Sequence, residues 1–212
     1  MKKILALTLS LILAVALLAG CGGGSGSADK GIAGDWAANV DMTQYLNDLL
    51  SADEEIGSYL TLDNFSIKLL ATFNEDGTYS MKGDPESAQA AMDGLKEQLK
   101  TAMYSYLEAM IKENEMDVTV DELLEQAGTT MDDLMTEMDA SYSADDLVGD
   151  LNMEGKYIFE DGKLALSQSP DQDADINQYE NAELKGDTLT LTSDDENGGD
   201  FAGLYPIVFE RQ

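Results

Sequence analysis

The side chains with which this 212-residue chain could do chemistry are few in kind. It has no histidine and one cysteine, Cys21, so Ser-His-Asp, Cys-His and histidine-zinc constellations cannot be assembled. Carboxylates are plentiful, with 42 Asp and Glu against 12 Lys and Arg and a formal charge of −30. Paired carboxylates flank a glycosidic bond at about 5–9.5 Å in glycoside hydrolysis, which keeps a carboxylate-dependent hydrolase as a third reading. Spacing selects no pair, however, and the aromatics that would line a sugar cleft make up 7% of the chain, with one Trp. The glycines at 22–26 have no strand before them and no lysine after them, so they form no phosphate-cradling loop. An acidic excess of this size opposes a nucleic-acid partner, since binding to a phosphate backbone depends on Lys and Arg. The expectation is a protein that is not an enzyme.

Three smaller patterns could hold a ligand. Asp171-Gln-Asp173-Ala-Asp175 opens like a calcium loop, with alternating hard oxygen donors. Ile176 stands where the turn glycine belongs, and Ala182 where the bidentate Glu belongs, with Glu183 one residue late. A solvated acidic loop with weak calcium affinity at most is expected, and likewise for the cluster of Asp194, Asp195, Glu196 and Asp200. Met131, Met135 and Met138 stand at helical spacing, and Met92, Met103 and Met110 share a longer stripe. Thioethers suit Cu(I) or adaptable apolar surfaces, but core packing is the plainer expectation. Residues 113–154 carry fourteen acids and no Lys or Arg. They read as solvated helix faces, or as a docking face for a cationic partner.

These residues must be positioned by the elements that the pattern predicts. A short β-run at 34–40 is followed by a helical stripe of Met42, Tyr45, Leu46, Leu49 and Leu50. β-Runs at 66–73 and 78–82 surround Asn74-Glu75-Asp76-Gly77, a hairpin signal. The device recurs around Asp161-Gly162 and around Gly186-Asp187, which implies an antiparallel meander, and 204–211 reads as a closing strand. Between the first two hairpins lies an all-helical block at about 84–150. Asp84-Pro85 caps its long first helix, and Thr119 with Glu122, Thr130 with Asp133 and Ser143 with Asp146 mark three more helix starts.

The N-terminus has Lys2 and Lys3, an apolar stretch from Ile4 to Leu18 and then Leu18-Ala19-Gly20-Cys21. It reads as a secretory signal peptide, too short for a permanent span. The tetrapeptide resembles the lipobox of bacterial lipoproteins. That resemblance implies cleavage before Cys21, lipidation of its thiol with two or three acyl chains such as palmitate, and a protein held on the extracytoplasmic face of the cell membrane. Residues 1–20 would then be the signal peptide and 21–30 a lipidated Cys with a Gly/Ser tether, of about 15–18 Å reach for nine flexible residues. Losing Lys2 and Lys3 takes the formal charge from −30 to −32. A chain so acidic is repelled by anionic headgroups, so the lipid and not a basic patch must hold it to the membrane.

A second resemblance rests on Gly34-Asp35-Trp36 in the first strand, the meander of hairpins, and Arg211 near the end of the last strand. Together they are similar to the lipocalin-like pattern, in which the first-strand Trp packs under a barrel and a late Arg lies across its ring. The implied fold of residues 31–212 is α+β, an antiparallel lipocalin-like β-barrel or curved sheet of some seven strands with a helical insertion. The helices either cap or fill the barrel mouth, or they pack beside a sheet that never closes. The function expected is a binding module in the cell envelope, in which barrel and Met-rich helices enclose a pocket for a small apolar molecule. The alternative is an acidic interaction lipoprotein that docks a cationic partner.

Overall fold

A computed structural model describes residues 30–51, 58–192 and 204–212. The lipobox segment, Cys21, the tether and the acidic cluster at 194–200 lie outside the described residues. A 3-10 turn at Lys30–Ile32 leads into β1 (Gly34–Asp41) and helix α1 (Thr43–Ser51). The hairpin β2 (Ser66–Phe73) and β3 (Thr78–Gly83) follows. Four helices come next: α2 (Pro85–Glu113), α3 (Val120–Gln126), α4 (Met131–Ser141) and α5 (Ala144–Asp150). The chain ends in β4 (Met153–Glu160), β5 (Lys163–Leu166), β6 (Glu180–Lys185), β7 (Thr188–Thr192) and β8 (Ile207–Arg211).

Each strand pairs antiparallel with the next, and β1 also pairs with β8, so eight strands form a closed barrel. The sequence pattern suggests some seven strands and leaves closure open. The structure has eight strands and decides for closure, because pairing of Trp36 with Arg211 and Ala38 with Phe209 joins the first strand to the last. Closure leaves neither terminal strand as an open edge. β4 starts four residues before the predicted 157, since Met153, Gly155, Tyr157 and Phe159 alternate inward while Gly155 and Lys156 make the run look broken. The Asp161-Gly162 turn has φ of 51° and 74°, the two left-handed residues that a two-residue hairpin loop needs.

The predicted helix starts are present. Asp84 accepts from Ser87 N at 2.9 Å with Pro85 beginning the helix, and Thr119, Thr130 and Ser143 each close a reciprocal capping box. The 29-residue α2 serves two cores. Its first half, with Ala88, Met92, Leu95 and Leu99, packs into the core shared with the barrel. Its second half places Met103 and Leu107 against Leu124, Met131 and Met135 in a separate helical core. Helix α5 lies against β3 and α2, so the insertion folds back over the end of the barrel where β3 stops and β4 begins.

A candidate ligand-binding cavity at the barrel mouth

The two ends of the barrel are built differently. At one end the 3-10 turn closes the barrel over Trp36, which is 1% exposed. Its indole N–H donates to Ile32 O at 2.8 Å. Arg211 lies across the ring, with its guanidinium carbon 4.2 Å from the centroid, and donates to Ala33 O at 2.7 Å and Gly31 O at 3.0 Å. The structure thus brings together Gly34, Trp36 and Arg211, and a Cβ on Gly34 would come within 2.7 Å of the Arg211 Nη1. Above this plug Phe73 packs against Tyr79 and Tyr157, with centroids 6.2 and 5.0 Å apart. Phe209, Leu164 and Leu189 are buried beside the same core. Aromatic and branched side chains thus fill much of the interior.

A cavity of about 130 Å³ opens at the other end. Strand β1 and the residue after it supply Val40 and Met42, β2 supplies Ile67 and Leu69, and β3 supplies Met81. The end of α5 adds Asp150 and Leu151, and the start of β4 adds Met153. Leu204, Tyr205 and Ile207 complete the wall ahead of and within β8. The alternation of the strands explains this: Val40, Ile67, Leu69 and Met81 hold inward positions at strand ends next to the mouth. The methionines here are Met42, Met81 and Met153. Those of the helical stripes, Met92, Met103, Met110, Met131, Met135 and Met138, lie in or against the cores. The expected enclosure by Met-rich helices is therefore corrected, because their stripes face each other and the barrel flank.

Two polar groups reach the cavity wall, each backed by a partner. Asp150 Oδ2 accepts from the Tyr142 hydroxyl at 2.7 Å, and burial and then that bond push the Tyr142 phenol above its ordinary value. The Tyr205 hydroxyl donates to Glu180. Glu180 stands opposite Leu164 and two residues before buried Ala182, an inward position, and its Oε2 is buried with no hydrogen-bond partner among the described residues. Burial raises the Glu180 carboxyl above the ordinary carboxylate value, against the lowering effect of Tyr205. Glu180 is not legible in the sequence, since Glu-Asn-Ala-Glu carries no alternation of apolar residues that would mark it as inward.

A raised carboxyl pKa in the fold makes Glu180 compatible with folding when protonated and a burden when ionised. Its favourable state is present below the unfolded value of about 4.3 and is lost as pH rises through the higher folded value. Glu180→Gln should therefore raise the urea midpoint at pH 7, and the gain should vanish below about pH 4. Urea unfolding of parent and variant across pH 3–8 checks this, and a gain independent of pH would contradict it.

The other sequence candidates are placed elsewhere. Asp173 Oδ1 is 2.7 Å from Lys156 Nζ, and Asp175 Oδ1 accepts from the backbone and side-chain nitrogens of Asn177 at 3.0 and 2.8 Å. Asp171 is exposed nearby. Between them Ala174, 2% exposed, packs on Ile158 and Ala165 outside the barrel, so the alternation fastens a loop to the barrel wall. Among the described residues no three acidic or thiol groups gather as metal ligands. Many acids of the 113–154 run have intramolecular partners. Glu122, Asp133 and Asp146 complete capping boxes, Asp132 and Asp139 pair with Lys100 and Lys96, and Asp121 accepts from Tyr104 at 3.0 Å. Hydrogen bonds from Thr119 and Ser143 hold Glu122 and Asp146 below the ordinary carboxylate values.

No described helix is long and apolar enough to cross a membrane. Compared with protein families, with curated proteins and with solved structures, the chain matches none.

Proposed function

We propose that this chain is a lipocalin-like, lipid-anchored binding module on the extracytoplasmic face of a bacterial membrane, and that it holds a small apolar molecule at the barrel mouth without catalysis. The observation that carries the reading is the cavity of about 130 Å³ with an apolar wall at the end of the barrel opposite the Trp36 plug. Binding sites favour such places: concave, mostly apolar, with a few convergent polar groups. An apolar cavity of about 150 Å³ is enough for benzene, so the occupant is a group of about six non-hydrogen atoms, either a whole ligand or the end of a longer one.

Anchoring rests on Leu18-Ala19-Gly20-Cys21. Two acyl chains at Cys21 suffice for stable membrane attachment, and the tether would hold the acidic barrel off the headgroups. Labelling of cells with a palmitate analogue should tag the parent and not Cys21→Ser. The apolar reading is preferred over a cationic partner because much of the acidic run already serves helix caps and ion pairs.

Binding is tested with 1-hexanol on the full chain by calorimetry. So small a ligand gains at most about 1.5 kcal/mol per non-hydrogen atom and usually much less, so saturable binding in roughly the micromolar to millimolar range is expected. Leu69→Trp directs a larger side chain into the cavity and should abolish that binding. Absence of saturable binding, or binding indifferent to Leu69→Trp, would remove the cavity as the site.

A further inference from the structure

The polar groups around the cavity all have one electrostatic sense. Asp150 lines it, with one oxygen taken by Tyr142. Tyr205 also lines it, and its hydroxyl donates to Glu180, so the phenol oxygen keeps only acceptor capacity for a further partner. Glu180 Oε2, beyond that bond, is buried and has no donor among the described residues. A buried acceptor without a donor is expensive, and more so when charged.

Among the described residues no basic side chain answers these acceptors. Lys68, Lys82, Lys156, Lys163 and Lys185 occupy outward strand positions, alternating with the buried inward residues. The lysines of α2 lie on the insertion, where Lys96 and Lys100 pair with Asp139 and Asp132. Arg211 alone of the described basic side chains turns toward the barrel interior, and it is engaged with Trp36 at the opposite end. A fatty-acid carboxylate at this mouth would meet carboxylates and, among the described residues, no cation.

We infer that the ligand is a small apolar amine whose ammonium is received between Asp150 and the Tyr205–Glu180 pair, while its hydrocarbon part fills the apolar cavity. The inference rests on the binding-module reading and adds the charge of the head group. An alkyl ammonium, like lysine, stays protonated to a pH of about 10. It brings three donors to groups that accept, and charge-assisted bonds of this kind are about twice as strong as neutral ones. Asp150 accepts directly, and Glu180 supplies charge through a phenol made a better acceptor by its own donation.

Hexylamine, 1-hexanol and hexanoate share one chain length and differ in the head group. Titrated into the full chain at pH 7 and 0.15 M salt, which screens the general surface attraction, hexylamine should bind about tenfold or more tighter than hexanol, and hexanoate weakest. Glu180→Gln and Asp150→Asn keep the shape, and Asn keeps an acceptor for Tyr142. Each should remove much of the advantage of hexylamine over hexanol measured on the same variant. Leu69→Trp should remove hexylamine binding, which separates the cavity from the acidic surface. Hexanoate binding as tightly as hexylamine, or variants that leave hexylamine unchanged, would overturn the amine assignment while hexanol binding keeps the cavity as a site. Failure of all three probes would overturn both readings.

Discussion

Replacing Trp36 with alanine should lower the unfolding free energy by about 3–5 kcal/mol, the range for removing a large buried aromatic side chain. Trp36 is 1% exposed, and its ring supports the Arg211 guanidinium at 4.2 Å. Alanine would remove that stacking, worth about 0.5–2 kcal/mol, and would leave Ile32 O without its donor at 2.8 Å. The effect spreads because Arg211 holds the 3-10 turn through Ala33 O and Gly31 O, and Arg211 is the register partner of Trp36 where β8 meets β1. Trp36→Phe keeps a ring but loses the indole donor, so it should fall between parent and alanine. Arg211→Lys keeps charge but gives up the planar fork that reaches two carbonyls, and it should also be destabilising. Urea unfolding followed by far-UV circular dichroism measures all three. A Trp36→Ala loss under about 1 kcal/mol would mean that the plug does not carry the barrel's closure.

Gly155→Val should be of similar size, at about 2–5 kcal/mol, from overpacking together with a disrupted buried hydrogen bond. The reason is space. A Cβ at Gly155 would lie 2.5 Å from Ser167 O, 2.6 Å from Ser167 Oγ and 3.0 Å from the Tyr79 ring. Ser167 cannot yield cheaply. Its carbonyl accepts from the Tyr79 hydroxyl at 2.7 Å, its hydroxyl accepts from Lys156 N at 2.7 Å and donates to Ser169 O at 2.9 Å, and its own N–H donates to Lys156 O at 2.8 Å. Burial has already pushed the Tyr79 phenol up to about 12, so a Tyr79 hydroxyl separated from Ser167 would be left unsatisfied inside the barrel. Gly149 is the contrast, since nothing lies within 4 Å of a Cβ there. Gly149→Ala should be neutral or gain up to about 0.5–1 kcal/mol from helix propensity. Equal effects at both glycines would show that packing at Gly155 is not the cause.

Both large effects arise where distant segments meet, and this is also where the sequence is least legible. The Asp161-Gly162 hairpin and the boxes at Thr119, Thr130 and Ser143 are readable because turn and cap chemistry acts over two to four residues. The start of β4 was hidden because Gly155, needed to admit Ser167, resembles a strand breaker. The methionine stripe at 131, 135 and 138 is legible as one helix face, yet Met131 and Met135 face the helical core and Met138 the core that helices and barrel share. Periodicity shows that a face is buried and does not show what it meets.

The cavity lies entirely on the illegible side. Its walls come from β1, β2, β3, β4, β8 and the end of α5, and no single stretch carries its pattern. Glu180 illustrates the point most sharply. In sequence it is one acid among 42, and only the pairing with Leu164 turns it inward.

What the sequence determined by itself is local or compositional: the helix caps, the hairpin turns, the charge and the absence of histidine. Tertiary structure alone decided that the sheet closes through β1 and β8, that the end of α5 joins the cavity wall, and that Asp150, with no described basic side chain beside it, borders an apolar cavity. The physical reason is range. Backbone hydrogen bonds within a turn or cap are specified by neighbouring residues, whereas closure and cavity shape depend on volumes and registers contributed by segments as far apart as Trp36 and Arg211.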